Sequence, residues 1–360
     1  MCRSPGRADA GSVVRFARVL IVAAVLVLLA TPSSAFASQM IDRNATHVSI
    51  AVNSDHRAVV SYLRGGAWHH VLVWGAINAR PPSKSVPQVK FRLDYSGGYG
   101  SFGSGYWKQI VKHNVCGPYT GPALAWKVVA CTTKSGENWA VQSWQRGLPN
   151  SGMKPHDSLQ SAHELQVSHW TGPLPVLWLK WDWVYGGKYD HLYGKFSYRD
   201  QAVHGYGNNG VGNPTDSYGR NIYVDSLDPP AWTTGYKQAG GWMRFNGFLA
   251  HNPRGNFCAG VFPNMFGRGP AGRGSAYRAT AMGPGVTPIV MWEGPGPGRY
   301  QPGGFAPRGE SGPPNYNSMP AGPLGKVLAY HYSRANDQQF TQEERAVAGA
   351  GDSCYSSAGI

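Results

Sequence analysis

The chain has 360 residues, including 48 glycines and 13 tryptophans, with 14% charged residues and a net charge of +14. Its 42% hydrophobic and 12% aromatic content excludes a disordered chain. The cations are dispersed with no run of five like charges, which excludes a basic nucleic-acid-binding arm, and the length admits one large domain or two small ones.

Arg3, Arg7, Arg15 and Arg18 form a basic stretch that leads into an apolar run from Val19 to Ala30. Ala35-Phe36-Ala37 is a small-x-small cleavage site, so residues 1–37 have the layout of a secretory signal peptide. The apolar run is shorter than the roughly 20 residues a spanning helix needs. The expectation is a protein that is secreted or at the cell surface, with no membrane span after signal removal, in which 38–360 form a single large β-rich domain.

Short β-rich runs follow in quick succession. "HVSIAV" (47–52), "AVVSYL" (58–63) and "WHHVLVW" (68–74) are separated by "NSDH" and "RGG", which serve as turns. Beyond "ARPPSKSVP" (79–87), strands are expected at 89–95, 125–131, 138–144, 163–170, 176–185, 220–225, 275–281, 287–292 and 326–332. "GPG" at 283–285 fits a hairpin turn. The Pro/Gly-rich tract over 294–325 reads as a long surface loop, because proline removes backbone donors and glycine costs entropy. "NDQQFTQEERAVA", around 336–347, has an Asn cap, early acids and a following glycine, the pattern of one short C-terminal helix. No repeat of fixed period is present. The expected fold is all-β, a mostly antiparallel β-sandwich or jelly-roll-like arrangement.

Cys2 leaves with the signal. Cys116, Cys131, Cys258 and Cys354 remain, an even number in an oxidising compartment. Three pairings are open, and Cys116–Cys131 with Cys258–Cys354 is the expected one.

Two stretches carry candidate ligand contacts. In "VLWLKWDWVY" (176–185), a strand places Leu177, Leu179, Trp181, Trp183 and Tyr185 on a core face. The other face carries Trp178, Lys180 and Asp182, an aromatic ring flanked by a cation and a carboxylate. Such a set can stack on the apolar face of a sugar and hydrogen-bond its hydroxyls. In "PTDSYGRNIYVDS" (214–226), Asn221, Tyr223 and Asp225 line one strand face. They form either a ligand floor or the wet face of an edge strand.

The histidine spacings oppose a metal site. His69 and His70 point to opposite faces, and no CxxC, HExxH or EF-hand loop is present, so neither metal nor cofactor is expected. Acids are few, and Glu164, Asp182 and Asp225 are not brought together by sequence, as a glycosidase carboxylate pair would require. His163, Gln166, His169, Arg220 and Tyr223 are of types that a uronate lyase uses.

Non-enzymatic binding of extracellular or cell-wall polysaccharide, anionic or neutral, is the leading expectation. A polysaccharide lyase or glycoside hydrolase and a structural surface protein are the alternatives, so enzymatic activity stays open. Nucleic acid is disfavoured as a partner, and the oligomeric state is left open.

Overall fold

The computed structural model describes residues 38–75, 77–81, 83, 88–148, 162–184, 189–203, 215–216, 219–227, 242–250, 255–261 and 276–294; at 180–184, 189–191, 259–261 and 294 the backbone alone is described. The expected signal peptide, the Pro/Gly-rich tract beyond residue 294, the strand expected at 326–332 and the expected C-terminal helix lie outside these residues. The described chain is mostly antiparallel β-sheet, as the alternating short apolar runs require.

Sheet I orders β2 (Thr46–Val52), β3 (Ala58–Arg64), β4 (Ala67–Trp74) and β5 (Arg92–Asp94). Its β3–β4 turn is the "RGG" read from sequence. Arg64 pairs with Ala67 across Gly65 and Gly66, whose φ values are +58° and +80°. Positive φ at both central residues is what a two-residue hairpin of the right twist demands, and glycine meets it without strain. Sheet II orders β1 (Gln39–Arg43), β9 (Glu164–Trp170), β8 (Asn138–Trp144), β7 (Lys127–Thr133) and β6 (Cys116–Pro118). The Cys116–Cys131 disulfide joins β6 to β7. Cys258 is also disulfide-bonded, and its partner lies outside the described residues.

Sheet III runs β10 (Val176–Val184), β11 (Tyr189–Tyr198) and β12 (Gln201–Ala202), with β15 (Asn256–Val261) also paired to β11. Sheet IV orders β14 (Trp242–Phe248), β13 (Ile222–Leu227), β16 (Ala276–Ala281) and β17 (Ile289–Gly294). The hairpin expected around "GPG" is the β16–β17 pair.

Two cores organise the sheets. Val60 and Val71 of sheet I meet Trp139, Val141, Leu165 and Val167 of sheet II. The opposite face of sheet II sends Ala140 and Trp170 into a larger core with Leu177, Leu192 and Phe196 of sheet III and Ile222, Val224 and Ala279 of sheet IV. Sheet II is thus covered on both faces, and β9 is buried along its whole length. Each fully buried Val, Leu or Phe contributes about 1.5–3 kcal/mol relative to exposure.

Several elements differ from expectation. The strand expected over 89–95 shrinks to β5, because Asp94 ends it. The Asp94 carboxylate accepts a hydrogen bond from the Ser96 backbone N–H at 2.8 Å, a turn that polar side chains favour. Next come two helices not expected from sequence, α1 (Tyr99–Phe102) and α2 (Tyr106–Lys112). Ile110 of α2 packs against Val59 and Leu72 on the outer face of sheet I. Gly97 makes this approach possible, since a Cβ there would lie 2.9 Å from Trp107 Cδ1. Strands β1, β6, β11, β12, β14 and β15 were likewise not expected. Among the described residues no helix is long and apolar enough to cross a membrane.

Candidate functional site

The sequence candidates separate into two places. In β10, Leu177 and Leu179 are fully buried, whereas Trp178, on the other face, is half-buried and meets Tyr193 edge-on at 5.9 Å. Lys180 and Asp182 occupy β10 opposite Tyr193 and His191. Their side chains, like those of Trp181 and Trp183, lie outside the described set.

Asn221, Tyr223 and Asp225 are not on an edge strand with a wet polar face. β13 is interior, paired to β14 on one side and β16 on the other, and all three residues are fully buried. Asn221 joins segments, with its Oδ1 accepting from the Ala250 N–H and its carbonyl from the Met282 N–H, each at 2.8 Å. Asp225 accepts from Arg244 Nε at 2.6 Å and from Arg278 Nε at 3.0 Å. The Tyr223 ring lies 4.1 Å from the Arg244 guanidinium and 5.4 Å from that of Arg220. Burial, reinforced by the charge of Asp216, pushes its phenol well up.

The network extends to sheet II. Arg244 Nη2 donates to the Arg146 carbonyl, and the Arg146 guanidinium forks Glu164 at 2.9 and 3.0 Å. Burial alone would lower Arg146, but the hydrogen bond and charge of Glu164 win and hold it above its ordinary value. At Asp216 burial is likewise opposed, and Arg220 holds the carboxyl below the usual range. Arg146, Arg244 and Arg278 were not picked out from the sequence. The available signal was an arginine at mid-strand in "GWMRFNGF" and "SAYRATA". A cation there must find a carboxylate on a neighbouring strand or remain uncompensated.

A second constellation sits on the outer face of sheet I. By strand alternation Trp68, His70, Leu72 and Trp74 share one face of β4. Leu72 and Trp74 pack beneath α2, while Trp68 extends beyond it and is 58% exposed. Between them the His70 ring stacks on Trp107 of α2 at 3.6 Å, and its Nδ1 is hydrogen-bonded to Ser61 Oγ at 2.8 Å. His69 stacks instead on Tyr62, whose side chain enters the core between sheets I and II, so the two histidines do point to opposite faces.

Phe102 stacks on Tyr106 at 4.7 Å and lies edge-on to Trp74 at 5.6 Å, extending the strip. Arg57 covers Phe102 at 4.3 Å and donates to Tyr106 Oη, and Lys108 Nζ stands 5.6 Å from the Trp107 ring. Burial, followed by the nearby charges of His69 and Lys108, keeps His70 below its ordinary pKa.

This surface combines water-facing aromatic rings with hydroxyl, imidazole and cationic donors. Chemically it can stack an apolar ring face and hydrogen-bond the polar rim of the same molecule. Among the described residues no carboxylate pairs with His70, so the Ser61–His70 contact lacks the orienting third member of a nucleophile relay. No group of three or more His, Cys, Asp or Glu among the described residues could hold a metal ion. No protein-family model, curated protein or solved structure matches the chain.

Proposed function

We propose that the protein is secreted or displayed at the cell surface and binds extracellular or cell-wall polysaccharide without altering it. The aromatic strip of sheet I and α2 is the contact surface. The observation that carries this function is the exposed Trp68 ring beside the His70–Trp107 stack on one sheet face. A pyranose seats its apolar face on such rings, while His70 and Lys108 supply hydrogen bonds along the rim. The four sheets act as sandwich-like layers that hold this face rigid, and a rigid aromatic surface binds with little loss of side-chain entropy.

Affinity electrophoresis in gels containing neutral or uronate-rich polysaccharide, at low and high salt, tests this function. Retardation by particular glycans that survives high salt supports stacking at a specific site. Retardation by every anionic polymer that disappears with salt reduces the interaction to net charge, and no retardation removes these glycans as ligands.

A further inference from the structure

We infer that Arg278, held against Trp126 and Trp242, is a receptor for the carboxylate of a sugar acid, a second glycan contact besides the sheet I strip that selects uronate polymers. This assignment rests on glycan binding for the choice of sugar and on its own geometry for the charge. The Arg278 guanidinium carbon lies 4.3 Å from the Trp242 ring centroid and 4.9 Å from that of Trp126. A cation held against two indoles is fixed in its plane.

Its Nε edge is tied to Asp225, which is fully buried and shared with Arg244. One carboxylate therefore serves two guanidiniums, and the pair keeps a positive surplus. The fork of an arginine carries five N–H donors. Among the described residues, those on Nη1 and Nη2 of Arg278 take no hydrogen bond. Glu293 lies directly opposite on β17, yet it is exposed and forms no ion pair with Arg278 among these residues.

The Arg278 side chain keeps 8% exposure, and both indoles are half-buried, so the opening is narrow. It suits a planar oxyanion carried on an apolar ring, which an arginine fork meets with two parallel hydrogen bonds. The clamp is also built at a conformational cost. Trp126 has φ +50°, a left-handed backbone that bulky side chains avoid, and it is held there by the Ser143 N–H donating to its carbonyl at 3.0 Å. Strain of this kind persists where the surrounding structure over-determines a position, here the one that lays the indole along Arg278.

Titration calorimetry of the full chain tests the assignment, with oligogalacturonate, a neutral galactose oligomer of the same length and inorganic sulfate as probes. Oligogalacturonate binds the wild type, and Arg278→Lys, which keeps the charge but loses the fork, weakens it about tenfold or more. Trp242→Phe, which thins the clamp while leaving the ion pairs in place, weakens it severalfold and serves if Arg278→Lys does not fold. Unchanged affinity in either folded variant overturns the assignment. Displacement of the oligomer by an equal concentration of sulfate overturns the sugar-acid part, since a bare oxyanion then suffices. Uronate binding indifferent to Arg278, together with neutral-glycan retention that depends on Trp68, defeats this inference and leaves glycan binding intact. Absence of binding by every glycan defeats both.

Discussion

The His70 imidazole stacks on the Trp107 indole, with ring centroids 3.6 Å apart and planes 8° from parallel. This contact ties strand β4 to helix α2 across the outer face of sheet I. It also covers part of the imidazole, and this partial loss of water disfavours its charged form.

Stability should therefore fall on mild acidification. Burial holds the folded His70 pKa below its ordinary value of 6.5. The unfolded chain binds the proton more readily, so the contribution of this group is complete above the unfolded pKa. It is lost as pH falls toward the shifted folded value. Melting temperature should drop between about pH 7.5 and about pH 5, and less steeply in His70→Asn. Equal pH dependence in the two proteins would contradict this role for His70.

Removing Asp225 should cost far more than a surface carboxylate. Asp225→Ala leaves Arg244 and Arg278 buried without their shared partner, and breaking such a pair typically costs about 3–5 kcal/mol. The midpoint of urea denaturation measures the loss. A loss under about 1 kcal/mol, the size of an exposed ion pair, would mean that the network is solvated.

Much of the fold is legible in the sequence, for a physical reason. Strands with one face on a core alternate visibly, so β2, β3, β4, β8, β9 and β16 lie within a few residues of expectation. β11 is different. Its Gly194 interrupts the apolar pattern, yet it sits where β10 passes so close that a Cβ would collide with the Trp178 carbonyl. The helices α1 and α2 hide in a glycine-rich stretch of low helix propensity, and α2 exists because Tyr106, Trp107 and Ile110 pack on sheet I. Alternation in "WHHVLVW" implies that Trp68 and His70 share a face, though neither stood out as a candidate in the sequence, and nothing local puts Trp107 over His70. The arginine network was the least legible feature, because it joins residues about 130 positions apart, from Arg146 to Arg278.

Gly194→Ala should be poorly tolerated for the same reason. The added methyl group meets backbone atoms of β10, which cannot rotate away, as well as the Phe257 ring. Overpacking of this kind costs about 1–3 kcal/mol, and thermal melting of the variant measures it. Wild-type stability would mean that β10 and β11 are more loosely paired than their nine-residue register requires.

Breaking the Cys116–Cys131 bridge should destabilise the chain by about 3 kcal/mol, the chain-entropy value for a loop of this size. The two cysteines are 15 residues apart. The double variant Cys116→Ser/Cys131→Ser, compared with the wild type in guanidinium denaturation, gives the number. No change would mean that strand pairing alone already holds β6 to β7.

The most direct measurement of glycan binding is the affinity of Trp68→Ala for the retarding polysaccharide, read in the same gels and set beside its melting temperature. Trp68 is largely exposed, so its loss should leave the melting temperature nearly unchanged. Glycan affinity should fall about tenfold or more, a loss of about 1.4 kcal/mol or greater. Full retention by Trp68→Ala, with the fold intact, would contradict the aromatic strip as the binding surface.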